Sequence, residues 1–249
     1  VVLNGDDDSV KTEYTEKAVA APVGDDLVCR RFIDTVEDEN GSLKSIKFFD
    51  EDSFNFAFDI VDAIAEKDPQ KLAMVHLDKH KNERRFTFKD MKKESARTAN
   101  YFKSLGIKRG DRVMVLLKRH YQFWFTILAL HKLGAVIIPA TNLLLKHDFD
   151  YRFDAAGVTA IVCTADGDTA HQAELSMAEH TQVTTKIVVG GKREGWHSFD
   201  DEYKMYSSSY PRPEGDECPC GNDPMLMFFT SGTTGYPKIA AHNYKYALG

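Results

Sequence analysis

The hydrophobic positions that follow residue 52 recur with the period of an α-helix. These positions are Ala57, Ile60, Val61 and Ile64. Their spacing of i, i+3, i+4 and i+7 places them on one helical face, and Ser53 stands where the N-cap is expected. Pro69 lies beyond the end of the pattern. A first amphipathic helix is therefore predicted after an acidic, weakly patterned lead segment of residues 1–52.

The next apolar runs predict a hairpin and a long helix. Residues 72–77 and 84–88 flank a short polar turn, which is typical of two antiparallel strands. Thr87 and Asp90 have the spacing of a capping box, and Gly106 stands where the helix that they begin should stop. We therefore expect a helix that directly follows the hairpin.

From residue 113 onwards, short β-branched runs alternate with helical patterns. The predicted strands are residues 113–117, 135–138, 159–163 and 186–189. The predicted helices are residues 121–133, 149–156 and 170–179. Parallel strands need crossover connections, and helices in those connections cover both faces of the sheet. The alternation therefore predicts an α/β fold with a largely parallel sheet flanked by helices.

The last part of the chain contains a short helix, a connector and a strand. Ser198 and Asp201 are placed to cap a short helix. Residues 207–224 are rich in proline and glycine and predict a connector. Met225–Phe229 is a continuous apolar run of strand length. This strand leads directly into the segment that carries the candidate chemistry.

Composition and charge predict a globular protein and argue against nucleic-acid binding and against a membrane span. Of 249 residues, 43% are hydrophobic, which is sufficient for a packed core in one or two domains. A net charge of -6 with scattered Lys and Arg argues against nucleic-acid binding. The most apolar stretch, Phe123–Ile138, is interrupted by His131 and Lys132, so we interpret it as a buried helix and a buried strand, not as a membrane span.

The cysteines and the termini add little functional information. The cysteines are Cys29, Cys163, Cys218 and Cys220. They lack a disulfide-framework spacing, and Cys218 and Cys220 have no further ligands nearby for a metal, so we expect free thiols and no metal site. The first residues lack a secretory signal, which predicts a cytoplasmic protein. Because the sequence starts at Val1 and stops at Gly249 within a helical pattern, we expect a fragment.

The segment after the last predicted strand combines hydroxyl groups, glycines and a lysine. Its residues are Thr230, Ser231, Gly232, Thr233, Thr234, Gly235, Tyr236, Pro237 and Lys238. Glycines let the backbone approach a polyphosphate, amides and hydroxyls donate to its oxygens, and lysine adds positive charge, so the expected ligand is ATP. The spacing differs from the P-loop, in which Lys directly follows Gly. The alternative is an ordinary Ser/Thr/Gly turn between two strands.

The segment Phe229–Lys238 resembles the phosphate-binding loop of the adenylate-forming (AMP-binding) superfamily, which includes acyl-CoA synthetases, luciferases and peptide-synthetase adenylation domains. Three further stretches agree with that superfamily in order and spacing, namely Phe86–Met91 with Ala99, Asn100 and Gly106, then Arg109–Val113, then Leu133–Pro139. The resemblance covers roughly residues 54–249. Other stretches look most like the medium-chain acyl-CoA synthetase branch, namely Ala140–Leu144, Tyr151–Arg152 and Ala240–Tyr244.

The resemblance implies that residues 53–249 are the amino-terminal portion of an adenylation domain, truncated after the phosphate loop and without its carboxy-terminal domain. Such enzymes bind ATP with Mg2+, let a substrate carboxylate attack the α-phosphorus, release pyrophosphate, and transfer the acyl group from AMP to the thiol of CoA. The implied role of the loop is to grip the β- and γ-phosphates, with Gly232 and Gly235 permitting its fold and Lys238 adding charge. None of its residues is a general base, and we assign no catalytic residue.

The family's later motifs do not lie before Gly249. They include a Mg2+-associated Glu, an Asp that holds the ribose, a hinge, and a catalytic Lys in a carboxy-terminal domain. If the polypeptide ends here, we expect no ligase activity and at most feeble ATP affinity. Two alternatives stay open. The chain is a non-catalytic truncated module, or the complete enzyme passes the acyl group to a carrier protein instead of CoA.

Two aromatic or histidine features favour structural roles. His242 follows the loop, and a single His beside a strand is more often a packing or hydrogen-bonding residue than a catalyst. Trp124 lies between Phe123 and Phe125 in a helical pattern that contains Leu128, which favours a core position for these rings. Neither feature predicts a second site.

Overall fold

The computed structural model describes residues 27–231 and 235–248. The strands are β1 (Ile33–Glu37), β2 (Leu43–Phe48), β3 (Leu72–Leu77), β4 (Glu83–Thr87), β5 (Arg112–Leu116), β6 (Val136–Pro139), β7 (Ala160–Thr164), β8 (Thr185–Val189), β9 (His197–Ser198), β10 (Pro224–Thr230) and β11 (Lys238–Asn243). The α-helices are α1 (Ala63–Lys67), α2 (Phe88–Ser104), α3 (Gln122–Leu133), α4 (Lys146–Ala156), α5 (Thr169–Met177) and α6 (Phe199–Glu202).

A seven-stranded sheet with the order β11-β10-β6-β5-β7-β8-β9 forms the centre of the fold. Every neighbouring pair from β10 to β9 is parallel, whereas β10 and β11 are antiparallel. The predicted α/β fold with a largely parallel sheet is confirmed. Because β10 runs parallel to β6, the end of β10 at Thr230 lies at the edge of the sheet where β5, β6 and β7 also end.

Two apolar clusters cover the two faces of this sheet. The first joins α2 and α3 to one face and includes Ala99, Phe102, Val113, Val115, Leu130, Val162 and Ile187. The second joins α4 and α5 to the other face and includes Met114, Leu116, Phe149, Phe153, Ile161, Cys163 and Val188. Successive residues of β5 alternate between the clusters, because side chains alternate across a strand. The sheet is therefore a buried, rigid support for the loops at its edges.

The capping box at the start of α2 is confirmed. The Thr87 hydroxyl accepts a hydrogen bond from the Asp90 amide at 3.2 Å, and the Asp90 carboxylate accepts one from the Thr87 amide at 2.8 Å. Gly106 follows the helix with a φ of +88°, a left-handed conformation that glycine adopts without steric cost. The hairpin of β3 and β4 precedes the helix, as the polar turn between two apolar runs predicts.

The N-cap that we predict at Ser53 is wrong. Ser53 lies in a 3-10 turn, and its hydroxyl donates to the Asp50 carbonyl at 2.9 Å. Asn55 caps the next helical segment instead, because its side-chain oxygen accepts from the Ala57 amide at 3.0 Å. That segment is a π-helix over Ala57–Asp62 that continues into α1. Sequence spacing finds the apolar face but misses the residue that begins the segment.

Asn55 also explains why this cap is difficult to predict. Its side-chain amide donates to the carbonyl of Pro219 at 2.7 Å and to the carbonyl of His131 at 3.0 Å. Asn55 is fully buried, so these tertiary partners satisfy groups that would otherwise lack hydrogen bonds. The cap therefore depends on chain segments that are distant in sequence.

Three further differences concern the short helix, an aromatic residue and the lead segment. The short helix α6 forms, but the Ser198 hydroxyl donates to the Asp201 carboxylate at 2.9 Å and does not cap the backbone. The Trp124 side chain is 49% exposed, so its predicted core position is wrong. Within the lead, β1 and β2 form a hairpin that the sequence does not predict, because neither strand shows a regular alternation of hydrophobic and polar residues and β2 is exposed throughout.

Lys132, which interrupts the long apolar stretch, lies in the protein interior. Its side chain is 1% exposed, and its ammonium contacts both carboxylate oxygens of Asp62 at 2.9 Å. Burial lowers the pKa of Lys132 and raises the pKa of Asp62, and each charge opposes the shift of the other. Across residues 27–231 and 235–248, no helix has the length and apolarity that a bilayer span requires.

We predict that Lys132→Ala destabilises the fold by about 3–5 kcal/mol, because it leaves the buried Asp62 carboxylate without its partner. Urea unfolding measures the free energy. Lys93→Ala is the control on an exposed site of α2, and it should change stability by less than about 0.5 kcal/mol. Equal stability of both variants would contradict the role of the pair.

A second prediction concerns pH, because burial lowers the pKa of the His131 imidazole to about 4. An unfolded His has a pKa of about 6.5, so between these values the unfolded state binds the additional proton. The free energy of unfolding should therefore fall as pH drops from about 6.5 to about 4, by up to about 3 kcal/mol from this residue.

His131→Phe removes this proton site and retains a ring against Phe56 and Tyr244, which the His131 ring contacts. The pH dependence of urea unfolding should be shallower in this variant over the same range. An identical slope in the variant and the parent protein would show that His131 is not the titrating group.

Candidate functional site: the loop between two edge strands

The loop that carries the candidate chemistry connects β10 and β11. Thr230 and Lys238 form the last strand pair before the loop, and the Thr230 hydroxyl donates to the Lys238 carbonyl at 3.2 Å. Gly232, Thr233 and Thr234 lie outside the described residues. The described parts of the loop are therefore residues 230–231, which we call the outgoing arm, and residues 235–238, which we call the return arm.

The described arms of the loop are open to solvent. The exposed residues are Thr230, Ser231, Gly235, Tyr236 and Lys238, and Pro237 is half-buried. Gly235 has a φ of +124°, a conformation that residues with a side chain rarely adopt. Among the described residues, no ion pair involves Lys238, so its ammonium is available to an external anion. The described residues of the loop are therefore mostly accessible from solvent.

Helix α4 contacts the end of β10 and the part of the loop that precedes β11, through Tyr151 and Arg152. The Tyr151 hydroxyl donates to the Pro237 carbonyl at 2.6 Å, and its ring stacks on Tyr236 with centroids 4.6 Å apart. The same ring meets Phe229, at the end of β10, edge-on at 6.1 Å. The Arg152 guanidinium lies 5.1 Å from the Phe229 ring centroid. Tyr236 therefore stacks on Tyr151 on one side, although the residue is 74% exposed.

A cationic cavity of about 740 Å³ lies beside the ends of β5, β6 and β7. Its basic and imidazole side chains are His76, Lys79, His80, Lys118, Arg119 and His120, and the other residues that line it are Leu77, Asp78, Asn142 and Asp166. Lys118 has a φ of +45°, which is uncommon for a lysine. In open α/β sheets, ligands bind outside the carboxyl ends of the strands. Its three Lys and Arg side chains outnumber its two Asp side chains, so the cavity has a small net positive charge that favours an anionic ligand.

Two histidines in the cavity are positioned by hydrogen bonds. His76 Nε2 lies 2.9 Å from the Arg119 carbonyl and donates to it, because a carbonyl only accepts. His120 Nε2 lies 2.8 Å from the Thr164 hydroxyl. Burial lowers the pKa of His120, although the charge of Asp166 opposes the shift. Sequence reasoning missed these residues, since they come from a hairpin tip and separate strand ends.

His242 and Cys218 make contacts that are typical of structural residues. The His242 ring contacts the rings of Phe228 at 6.1 Å and Tyr246 at 4.1 Å, in keeping with a packing role. The Cys218 sulfur accepts a hydrogen bond from Arg212 at 3.2 Å. In the part of the chain that the structure describes, no three His, Cys, Asp or Glu side chains converge on a position for a metal ion.

Comparison with known proteins identifies the class. A sequence profile described as "AMP-binding enzyme" matches residues 61–248. The chain therefore belongs to the AMP-binding enzyme family. Its relatives within that family are acyl-coenzyme A synthetases. The mitochondrial acyl-coenzyme A synthetase ACSM5 of Rattus norvegicus is 33% identical over 208 residues, and the human mitochondrial ACSM3 is 31% identical over 204 residues. The predicted resemblance to the adenylate-forming superfamily is confirmed.

These relatives are considerably longer than the matched region. Each alignment covers 79% of this chain and 34% of the relative, so the chain spans about a third of their length. Both relatives are named as mitochondrial proteins, and the cytoplasmic location expected for this chain stays a prediction.

Solved structures show the same fold at lower sequence identity. The anthranilate CoA ligase AuaEII, crystallised in complex with anthranoyl-AMP, aligns with a TM-score of 0.65 and 22% identity over 78% of this chain and 35% of its own. An acyl-CoA synthetase of Brucella canis aligns with the same TM-score and identity over 78% and 34% of the two chains. At this identity the likeness supports the fold alone.

Proposed function

We propose that the complete protein activates a carboxylic acid with ATP and transfers the acyl group to CoA. The observation that carries this proposal is the loop at the carboxyl end of β10. Its described residues Thr230, Ser231, Gly235, Tyr236 and Lys238 are exposed, Gly235 has a φ of +124°, and no ion pair with another described residue involves Lys238. Membership of the AMP-binding enzyme family supports ATP, and the names of the relatives support CoA as the acceptor.

The proposed reaction has two steps. A carboxylate oxygen of the acid forms a bond to the α-phosphorus of ATP, and the bond from that phosphorus to the bridging oxygen breaks, which releases pyrophosphate. The thiolate sulfur of CoA then attacks the acyl carbon, and AMP leaves. The first step converts a poor acyl donor into one with a good leaving group, so the enzyme must stabilise the charge that develops on pyrophosphate.

The loop is suited to that stabilisation. Its hydroxyls at Ser231, Thr233 and Thr234 and its amides are the proposed donors to the β- and γ-phosphates, and the Lys238 ammonium adds positive charge. The single O–H of Thr230 donates to the Lys238 carbonyl, so we no longer assign the Thr230 hydroxyl to the phosphates. Mg2+ neutralises phosphate charge in such reactions. Because no metal-binding cluster occurs among the described residues, we assign no Mg2+ ligand in this chain.

The cationic cavity is our proposed position for the phosphate groups of CoA. Both the loop and the cavity lie at the carboxyl edge of the sheet, and only β6 separates β10 from β5. Lys118 and Arg119 are exposed in the cavity and are free to meet an anionic ligand. Two anionic substrates therefore have separate positions on one edge.

Two other functions make different predictions. A carrier-protein acceptor requires acyl transfer to a protein-bound pantetheine thiol, and a non-catalytic module requires no adenylation at all. We propose that activity belongs to the complete protein and that residues 1–249 alone are inactive. Assays of ATP–pyrophosphate exchange, followed by acyl transfer to CoA or to a carrier thiol, separate these possibilities.

In the complete enzyme, we predict that Lys238→Ala lowers kcat/KM for ATP in ATP–pyrophosphate exchange by about tenfold or more, because a charge-assisted contact to phosphate is lost. Lys93→Ala on α2 is the matched control and should leave exchange unchanged. An unaltered exchange rate in Lys238→Ala would reject the phosphate-binding role of this residue.

The cavity gives a separate prediction. Arg119→Ala should raise KM for CoA about five- to tenfold in thioester formation, because it removes one positive charge from the cavity. It should leave ATP–pyrophosphate exchange unchanged, since that half-reaction does not use CoA. A normal KM for CoA in this variant would place the CoA phosphates elsewhere.

A further inference from the structure

We propose that Tyr151 of α4 is a positioning residue that holds the return arm of the loop in its ATP-binding geometry. The proposal rests on the proposed function, because it assumes that the loop binds ATP. It extends that function to a residue outside the loop. Tyr151 is not expected to touch ATP. It is expected to act through Pro237 and Lys238, which it holds at the point where the loop re-enters the sheet.

The first observation is the hydrogen bond from the Tyr151 hydroxyl to the Pro237 carbonyl at 2.6 Å. Pro237 directly precedes Lys238, and its ring fixes φ, so a fixed carbonyl restrains the remaining rotation of this residue. The Lys238 carbonyl is held from the other side by the Thr230 hydroxyl at 3.2 Å. The two hydrogen bonds together fix the backbone on both sides of the Lys238 side chain.

The second observation is that one ring contacts the return arm of the loop and the strand that precedes the loop. Tyr151 stacks on Tyr236 of the return arm at 4.6 Å with 20° between the rings. It also meets Phe229 of β10, one residue before the loop, with ring centroids 6.1 Å apart and 67° between the rings. Such aromatic pairs are favourable in both geometries. Tyr151 therefore links the return arm to the end of β10 through its ring, in addition to the hydrogen bond.

The third observation is that the hairpin and helix α4 are stabilised by contacts that do not involve the Tyr151 hydroxyl. Residues 226–230 pair in continuous register with residues 238–242, so the hairpin has its own backbone hydrogen bonds. Helix α4 is anchored to the core by Phe149, Phe153 and Ala156, and Tyr151 does not belong to that buried set. Loss of the Tyr151 hydroxyl should therefore leave the fold intact and release only the return arm.

Release of the return arm should weaken the binding of ATP. Loop donors that are held in place before ATP arrives need not be ordered during binding, whereas a mobile arm loses that advantage. The acid does not depend on this arm in our account. The effect of a Tyr151 variant should therefore be confined to the interaction with ATP.

The test compares Tyr151→Phe with the parent enzyme and with Tyr206→Phe. Tyr206 accepts a hydrogen bond from the Ser104 hydroxyl at 2.8 Å on the α2 side of the protein, so its variant also loses one tyrosine hydroxyl. In ATP–pyrophosphate exchange by the complete enzyme, Tyr151→Phe should raise KM for ATP about five- to tenfold. KM for the acid and the melting temperature should stay at parent values, and Tyr206→Phe should change neither KM.

Hydrogen exchange gives a readout that does not need activity. Without ATP, amides of residues 236 and 238–239 should exchange at least about threefold faster in Tyr151→Phe than in the parent protein, because the arm opens more often. An unchanged KM for ATP with unchanged hydrogen exchange overturns the proposal. A lowered melting temperature with equal losses for ATP and acid also overturns it, since that pattern indicates a general structural role.

Failure of the proposed function gives a different result. If the parent enzyme shows no ATP–pyrophosphate exchange with any acid, adenylation is wrong, whereas faster exchange of the arm in Tyr151→Phe would still show that Tyr151 holds it. The two claims are therefore tested separately.

Discussion

The candidate site depends on the different neighbours of β10 on its two sides. On one side it pairs parallel to β6, so it ends at the carboxyl edge with the other parallel strands. On the other side it pairs antiparallel to β11, so the chain must reverse directly at that edge. A parallel neighbour would require a crossover of a dozen or more residues. The reversal instead produces a short connection whose described residues, among them Ser231, Gly235 and Lys238, are exposed.

The remaining structure supports this edge without contributing to its chemistry. Helices and strands bury the two apolar clusters, and the interior ion pair of Lys132 and Asp62 and the hydrogen bonds of Asn55 join the amino-terminal segments to α3. Functional groups lie where the strands end, in the loop of β10 and in the cavity beside β5, β6 and β7. A rigid sheet with variable edges is the usual arrangement of binding sites in α/β proteins.

The sequence predicts those features that depend on local chemistry. Thr87 and Asp90 form the expected capping box, and the alternation after residue 113 gives the parallel sheet. Features that depend on distant partners are not predictable in this way. Asn55 replaces Ser53 as the cap because its side chain also binds the carbonyls of His131 and Pro219, which are remote in sequence.

The candidate site shows the same limit. The composition of the loop is visible in the sequence, and so is its resemblance to a known phosphate loop. The contact of Tyr151 with Pro237 and the convergence of hairpin and strand-end residues in the cationic cavity require the tertiary structure, since no periodicity or short motif links them.

The central claim is that this loop holds the phosphates of ATP. A crystal structure of the complete protein with a non-hydrolysable ATP analogue tests it most directly. Our account predicts that the β- and γ-phosphates lie within hydrogen-bonding distance of the loop hydroxyls and amides and of the Lys238 ammonium. A nucleotide bound with its phosphates away from this loop would contradict the account.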